Sequence, residues 1–160
     1  MQNGNMKNTI RELSLIVSDY SIKINEIPDD VFSAKPNPAK WSKKEVLGHL
    51  IDSASNNLRR FIVGQYEANP KIVYQQDFWV TANNYQNLRK ENVIQLWKSL
   101  NEQICVVLQA MPDQNLNLMC DTGKDTIQLH SIAWLAVDYV KHLKHHLNQI
   151  IAGSFAISYP

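Results

Sequence analysis

Four stretches of this chain repeat apolar residues every three or four positions, and prolines and glycines fall mainly between them or at their ends. That pattern restricts the chain to amphipathic helices packed on one another. The first stretch covers residues 7–27, where Ile10, Leu13, Ile16, Val17, Tyr20, Ile24 and Ile27 form one stripe that stops at Pro28. The connector that follows holds three of the six prolines, so it is expected to cross irregularly, with Phe32 tucked onto the bundle. The second stretch opens on a strong start signal: Ser42 as N-cap, Glu45 as its capping-box partner and Trp41 placed to staple against Val46. Its apolar face runs through Leu50, Ala54, Leu58, Phe61 and Ile62 and fades before Pro70.

Residues 70–84 read as a long aromatic loop whose Phe78 and Trp79 need burial and wall a pocket. A third helix is expected over residues 87–111, stopped by Pro112, and a fourth over residues 127–152. Residues 73–80 or 116–120 have strand character, but neither has a convincing partner run. The expectation is an all-α chain, a four-helix bundle with long crossover loops, in one domain spanning residues 1–160 with residues 1–6 of its Asn-rich start mobile.

Charge narrows the partners. Sixteen basic and fifteen acidic residues leave a formal charge of +1, so no global field draws the chain to nucleic acid or to an anionic membrane. The start lacks an apolar leader and no later run is long enough to span a bilayer, so the expected location is cytoplasmic. Cys105 and Cys120 are the two cysteines, too few and too far apart for a disulfide framework or a thiolate metal site.

Chemistry concentrates in the fourth stretch. His142 and His146 are four apart, and a helix places such a pair on one face, where two imidazoles can grip one ion. Ser131, Leu135, Asp138 and Gln149 share that face. In the second stretch His49 is followed by Asp52, Ser53 and Asn56 at i+3, i+4 and i+7, a polar stripe where a bundle otherwise calls for aliphatic residues. Three histidines with an open coordination position make a catalytic type of metal site, and Asp52 and Asp138 are the carboxylates placed to orient an imidazole or shuttle a proton. The bland alternatives remain open on spacing alone. A Lys-His-Leu-Lys-His-His run also suits the basic last turns of a helix, and a lone His49 can be a hydrogen-bonded core residue. His130 is expected to be structural or at a pocket rim.

Taken together, Trp41-Ser-x-x-Glu-x-x-x-His49-Leu-x-Asp52-Ser53, then Asp77-Phe-Trp79, then Asp138-Tyr-x-x-His142-x-x-x-His146-x-x-Gln149-Ile150 resemble the DinB/YfiT-like superfamily over nearly the whole chain. The resemblance implies a four-helix bundle, often dimeric, with a divalent metal held by His49, His142 and His146. It further implies a metal-dependent enzyme that transfers a low-molecular-weight thiol to a small-molecule substrate, isomerises a thiol-linked one, or hydrolyses an ester or amide. Zinc suits three neutral imidazoles by default, and nickel, iron, manganese and cobalt share the ligand preference. The reading from another class is a noncatalytic metal- or small-ligand-binding bundle with a stress-related accessory role.

Overall fold

The computed structural model describes residues 2–159. Helix α1 (Gln2–Asn25) starts well before the expected residue 7, because Met6 extends the apolar stripe by a further turn and is itself buried. Met1, the start of the segment expected to be mobile, lies outside the described residues. The proline-rich connector contains a short helix α2 (Asp29–Ser33) set off by Pro28, and Phe32 on it is fully buried, as the sequence requires.

Helix α3 (Lys43–Val63) has the anticipated capping box in both directions. The Ser42 hydroxyl accepts from the Glu45 amide at 3.1 Å, and the Glu45 carboxylate accepts from the Ser42 amide at 2.8 Å. The expected aromatic loop instead holds helix α4 (Gln76–Asn83), ended by Asn84 in the left-handed region at φ 53° and followed by a tight 3-10 turn over Tyr85–Asn87. Within α4 consecutive residues point about 100° apart. Val80 is therefore buried and Trp79 rests edge-on against Tyr74 at 5.6 Å, while Phe78 faces outward, 70% exposed, against the expectation of burial.

Helix α5 (Lys90–Ala110) and a 3-10 segment, Asp113–Asn117, lead to strand β1 (Met119–Asp121). It pairs antiparallel with β2 (Leu129–Ser131), with Cys120 opposite His130, so the expected strand character near residue 120 has a partner after all. Asp121 also bonds through its backbone to Pro70 and Ile72, which ties the segment after α3 to the hairpin. Helix α6 (Ile132–Ile150) begins later than expected because the hairpin takes residues 129–131, and Ser131 caps it by accepting from the Trp134 amide at 3.1 Å.

The four long helices α1, α3, α5 and α6 form the bundle. Each of α1 and α3 packs on both α5 and α6, so α1 and α3 lie across one diagonal and α5 and α6 across the other. The connections from α1 to α3 and from α5 to α6 must then cross the bundle, while α3 and α5 are neighbours joined by the longest connector, the one that carries α4. Leu13, Ile24, Phe32, Leu47, Leu50, Phe61, Trp97, Ile104, Leu143 and Leu147 are among the fully buried side chains of the core. Among the described residues no helix is long and apolar enough to cross a membrane.

One close approach fixes the polar side of α3. A Cβ placed on Gly48 would lie 2.1 Å from the Tyr85 ring, so only glycine lets the segment after α4 seat against α3. Gly48→Ala is expected to lower stability to urea by about 1–3 kcal/mol, the range for overpacking a tight core position. An unfolding midpoint equal to the wild type would contradict this account of the contact.

Candidate metal centre

The polar stripe on α3 is buried. His49 is only 1% exposed, and Asp52, Ser53, Asn56 and Asn57 are buried with it. Helix α6 packs on this face and brings half-buried His142 and His146 to meet His49. One ring nitrogen from each of the three histidines falls within 4.8 Å of the others. The Nε2 atoms of His49 and His142 are 3.1 Å apart, and the His146 ring centroid is 4.5 Å from each of the other two.

The outward nitrogens show which atoms are free to ligate. His146 Nδ1 meets Gln149 Oε1 at 3.1 Å, and His142 Nδ1 meets Ser53 Oγ at 3.4 Å. Both rings are thus held from behind, and His142 turns its Nε2 toward His49. His49 lies tilted against the Trp41 ring with centroids 5.2 Å apart, and its Nδ1 is buried with no hydrogen-bond partner.

Burial sets the charge state. It pushes His49 down to about 3 and, with the neighbouring histidines adding to the effect, His142 down to about 2. His146 is lowered for the same first reason. All three are neutral imidazoles at pH 7, the form that donates a lone pair to a metal. Two imidazole nitrogens at about 2.0–2.1 Å from a tetrahedral ion would lie about 3.3 Å apart, close to the spacing of the two Nε2 atoms. The donor set fits a divalent metal, which His49, His142 and His146 would hold.

The remaining sequence candidates divide. Asp52 Oδ1 accepts from the Tyr85 hydroxyl at 2.7 Å and from Asn83 Nδ2 at 2.8 Å, while its Oδ2 is buried with no partner. Burial lifts this carboxyl to about 6 despite those two bonds. Asp138, one turn before His142, accepts from the Tyr159 hydroxyl at 3.1 Å, and the Tyr159 ring sits 5.7 Å from those of both His142 and His145. His130 is stacked on Trp134 at 3.8 Å and belongs to the hairpin side.

Sequence reasoning did not find Trp41 as a cover for His49, nor Tyr85 and Tyr159 as carboxylate partners. The capping signal explained Trp41 as a staple, and the two tyrosines come from distant segments with no local pattern. A cleft of about 840 Å³ opens beside the cluster, lined by Trp41 and Gln149, which touch His49 and His146, and by Lys43, Val46, Gln76 and Asp77. Phe78 walls a different hollow, of about 390 Å³, together with Tyr74 and Lys124.

Comparisons with known proteins agree with this architecture. The family model of the DinB superfamily matches residues 18–150. Among solved structures, one of Bacillus subtilis YfiT is similar with a TM-score of 0.80 and 21% identity, over 91% of this chain and 83% of that one. It is described as a probable metal-dependent hydrolase with an unusual four-helix bundle topology. At that identity the likeness speaks for the fold. No curated protein matches the sequence.

The buried imidazoles make the metal-free protein sensitive to acid. Between pH 6.5 and 3 an unfolded chain protonates His49 and His142 and the folded one does not, so their contribution is present above pH 6.5 and is lost as pH falls. Asp52 acts oppositely between about 6 and 3.8, where the folded state holds the extra proton. Near pH 5 the two histidines outweigh it by one proton, so stability should drop by about 1.4 kcal/mol per pH unit, and more once His146 adds to it. Urea unfolding of metal-free protein at pH 7, 6 and 5 reads this slope. A flat profile would mean that the cluster is charged when folded.

Proposed function

The chain belongs to the DinB superfamily, and from that footing we propose that it is a divalent-metal-dependent enzyme acting on a small-molecule substrate, of the hydrolase or thiol S-transferase type. The observation that carries this reading is the convergence of three neutral histidine nitrogens, from two helices, within 4.8 Å. The description of YfiT as a probable metal-dependent hydrolase supports the same class. Zinc is the first choice of ion, with nickel, iron, manganese or cobalt compatible with the ligands. A divalent ion bound there supplies a Lewis acid that lowers the pKa of a thiol or a water.

The chain's own residues do the rest. Ser53 and Gln149 hold His142 and His146 from behind, and Trp41 shields one face of His49. The Asp138–Tyr159 pair beside His142 can take up a proton from a nucleophile and return it to a leaving group. The cleft beside Trp41 and Gln149 is roomy enough for a small substrate, and Lys43 on its wall favours an acyl or thiol compound with some negative charge.

A second reading, a noncatalytic metal- or ligand-binding bundle, draws on Asp52. Its Oδ1 is committed to Tyr85 and Asn83 and its Oδ2 is shut away from solvent, so it is not presented to a substrate.

Protein purified without added metal or an affinity tag should carry about one equivalent of divalent metal, and a His49→Ala, His142→Ala double variant should carry none. Loaded protein should cleave activated esters or consume a low-molecular-weight thiol with an electrophile, and the double variant should do neither. Wild-type protein that takes up no zinc or nickel on titration sinks the metalloenzyme. Metal uptake without either reaction favours the binding bundle.

A further inference from the structure

The three imidazoles are not supported alike. His142 and His146 each face an oxygen through Nδ1, Ser53 Oγ and Gln149 Oε1, which can receive a ring proton and leave Nε2 as a bare lone pair. His49 Nδ1 has no such oxygen and no solvent. A buried N–H without an acceptor is rarer and costlier than a buried lone pair without a donor. In the metal-free protein His49 therefore carries its proton on Nε2 and gives it to His142 Nε2, 3.1 Å away. That tautomer cannot ligate a metal through Nε2. Ligation requires the N–H bond at Nε2 to break and one to form at Nδ1, with no net proton gained or lost by the ring.

The proton then needs an acceptor at Nδ1, and among the described residues one buried side-chain oxygen lacks a donor: Asp52 Oδ2, one turn along the same helix. Residues three apart share a helix face, so side-chain movement alone can join the two. The carboxyl is held for this by its other oxygen, which Tyr85 and Asn83 occupy, and Gly48 is what lets Tyr85 come so close. Carboxylate, imidazole and metal in line is a recurrent arrangement that fixes the tautomer of a ligand histidine.

We propose that Asp52 is the positioning residue for His49: its free oxygen accepts a hydrogen bond from the His49 Nδ1–H when the metal binds, and so selects the ligating tautomer. This rests on the metal-centre reading above. It gives the unpaired oxygen of Asp52 a partner that only the loaded site creates.

Asp52→Asn separates this role from a structural one. The asparagine keeps an oxygen for Tyr85 and Asn83 but turns an NH₂ group toward Nδ1, which suits the metal-free tautomer and opposes the loaded one. Zinc affinity, measured by chelator competition, should fall about 10–100-fold, while the thermal midpoint of metal-free protein stays level or rises. Tyr85→Phe, which leaves Asn83 to hold the carboxyl, should lower the midpoint and weaken zinc binding less than Asp52→Asn does. Nitrogen-15 NMR of the wild type should place the His49 proton on Nε2 without metal and on Nδ1 with zinc.

Asp52→Asn with wild-type zinc affinity, or a His49 proton on Nδ1 before zinc is added, overturns the proposal and leaves the metal centre standing. A wild type that binds no zinc overturns the metal centre itself, and this role with it.

Discussion

Everything around the α3–α6 interface depends on keeping three imidazoles neutral, one of them buried and two half-buried. A bundle normally seals such an interface with aliphatic side chains, and here α3 offers His49, Asp52, Ser53, Asn56 and Asn57 in a row. Each of these left unsatisfied would cost about 1–3 kcal/mol. The helix answers most of the demand from within: Asn56 donates to the Asp52 carbonyl and Asn57 to the Ser53 carbonyl, both at 2.9 Å. On α5, Asn101 does the same toward Trp97 at 2.8 Å and accepts from the Tyr139 hydroxyl at 2.5 Å. Among the described residues, the buried side-chain polar atoms left without a partner are His49 Nδ1, Asp52 Oδ2 and, on α5, the Trp97 indole nitrogen, so the unmet polar demand of the α3 face is confined to the histidine cluster and the carboxylate beside it.

The parts of this structure legible in the sequence are those with a local cause. Apolar residues at helical spacing gave the four long helices, and Ser42 with Glu45 gave the start of α3 to the residue. His142 and His146 were legible because four residues along a helix is a fixed geometry. Helix α4 was not, because its N-cap, Gln75, makes no side-chain bond and its inward side is Val80 with Trp79 alone. The β1–β2 pair was equally hidden. Three residues are too few to show alternation, and the turn is closed by Asp121 Oδ1 accepting from the Gly123 and Gln128 amides, a contact that a pattern search does not see. Tyr85 on Asp52 and Tyr159 on Asp138 are long-range pairings, fixed only once the segments after α4 and after α6 fold back on the helices.

The long connection from α3 to α5 serves the site more than the core. The segment after α3 is tied down by Arg60, whose guanidinium donates to the Ile72 carbonyl at 2.7 and 3.2 Å and to Asn57 Oδ1 at 3.3 Å. Arg60 thereby links the polar face of α3 to the chain that leads into α4, and α4 ends at Asn83, which reaches back to Asp52. A stretch that reads as loop is in this way fastened at both ends to the helix carrying His49. The exposed Phe78 is consistent with that role, since α4 is held by its polar ends and by Val80 rather than by a broad apolar face.

The two helices contribute to the metal centre on different terms. Helix α6 sets His142 beside His146 by its own geometry, so that pair exists wherever the helix forms. His49 joins them only when α3 has crossed the bundle and docked on α6, and it arrives with its outer nitrogen unsupported. An ion that needs all three imidazoles is therefore bound by the docked bundle and not by the isolated helix, and by linkage its binding stabilises the docked state. Ordered this way, the third ligand reports whether the bundle is assembled, and the desolvation that keeps His49 neutral is supplied by the same contact that delivers it.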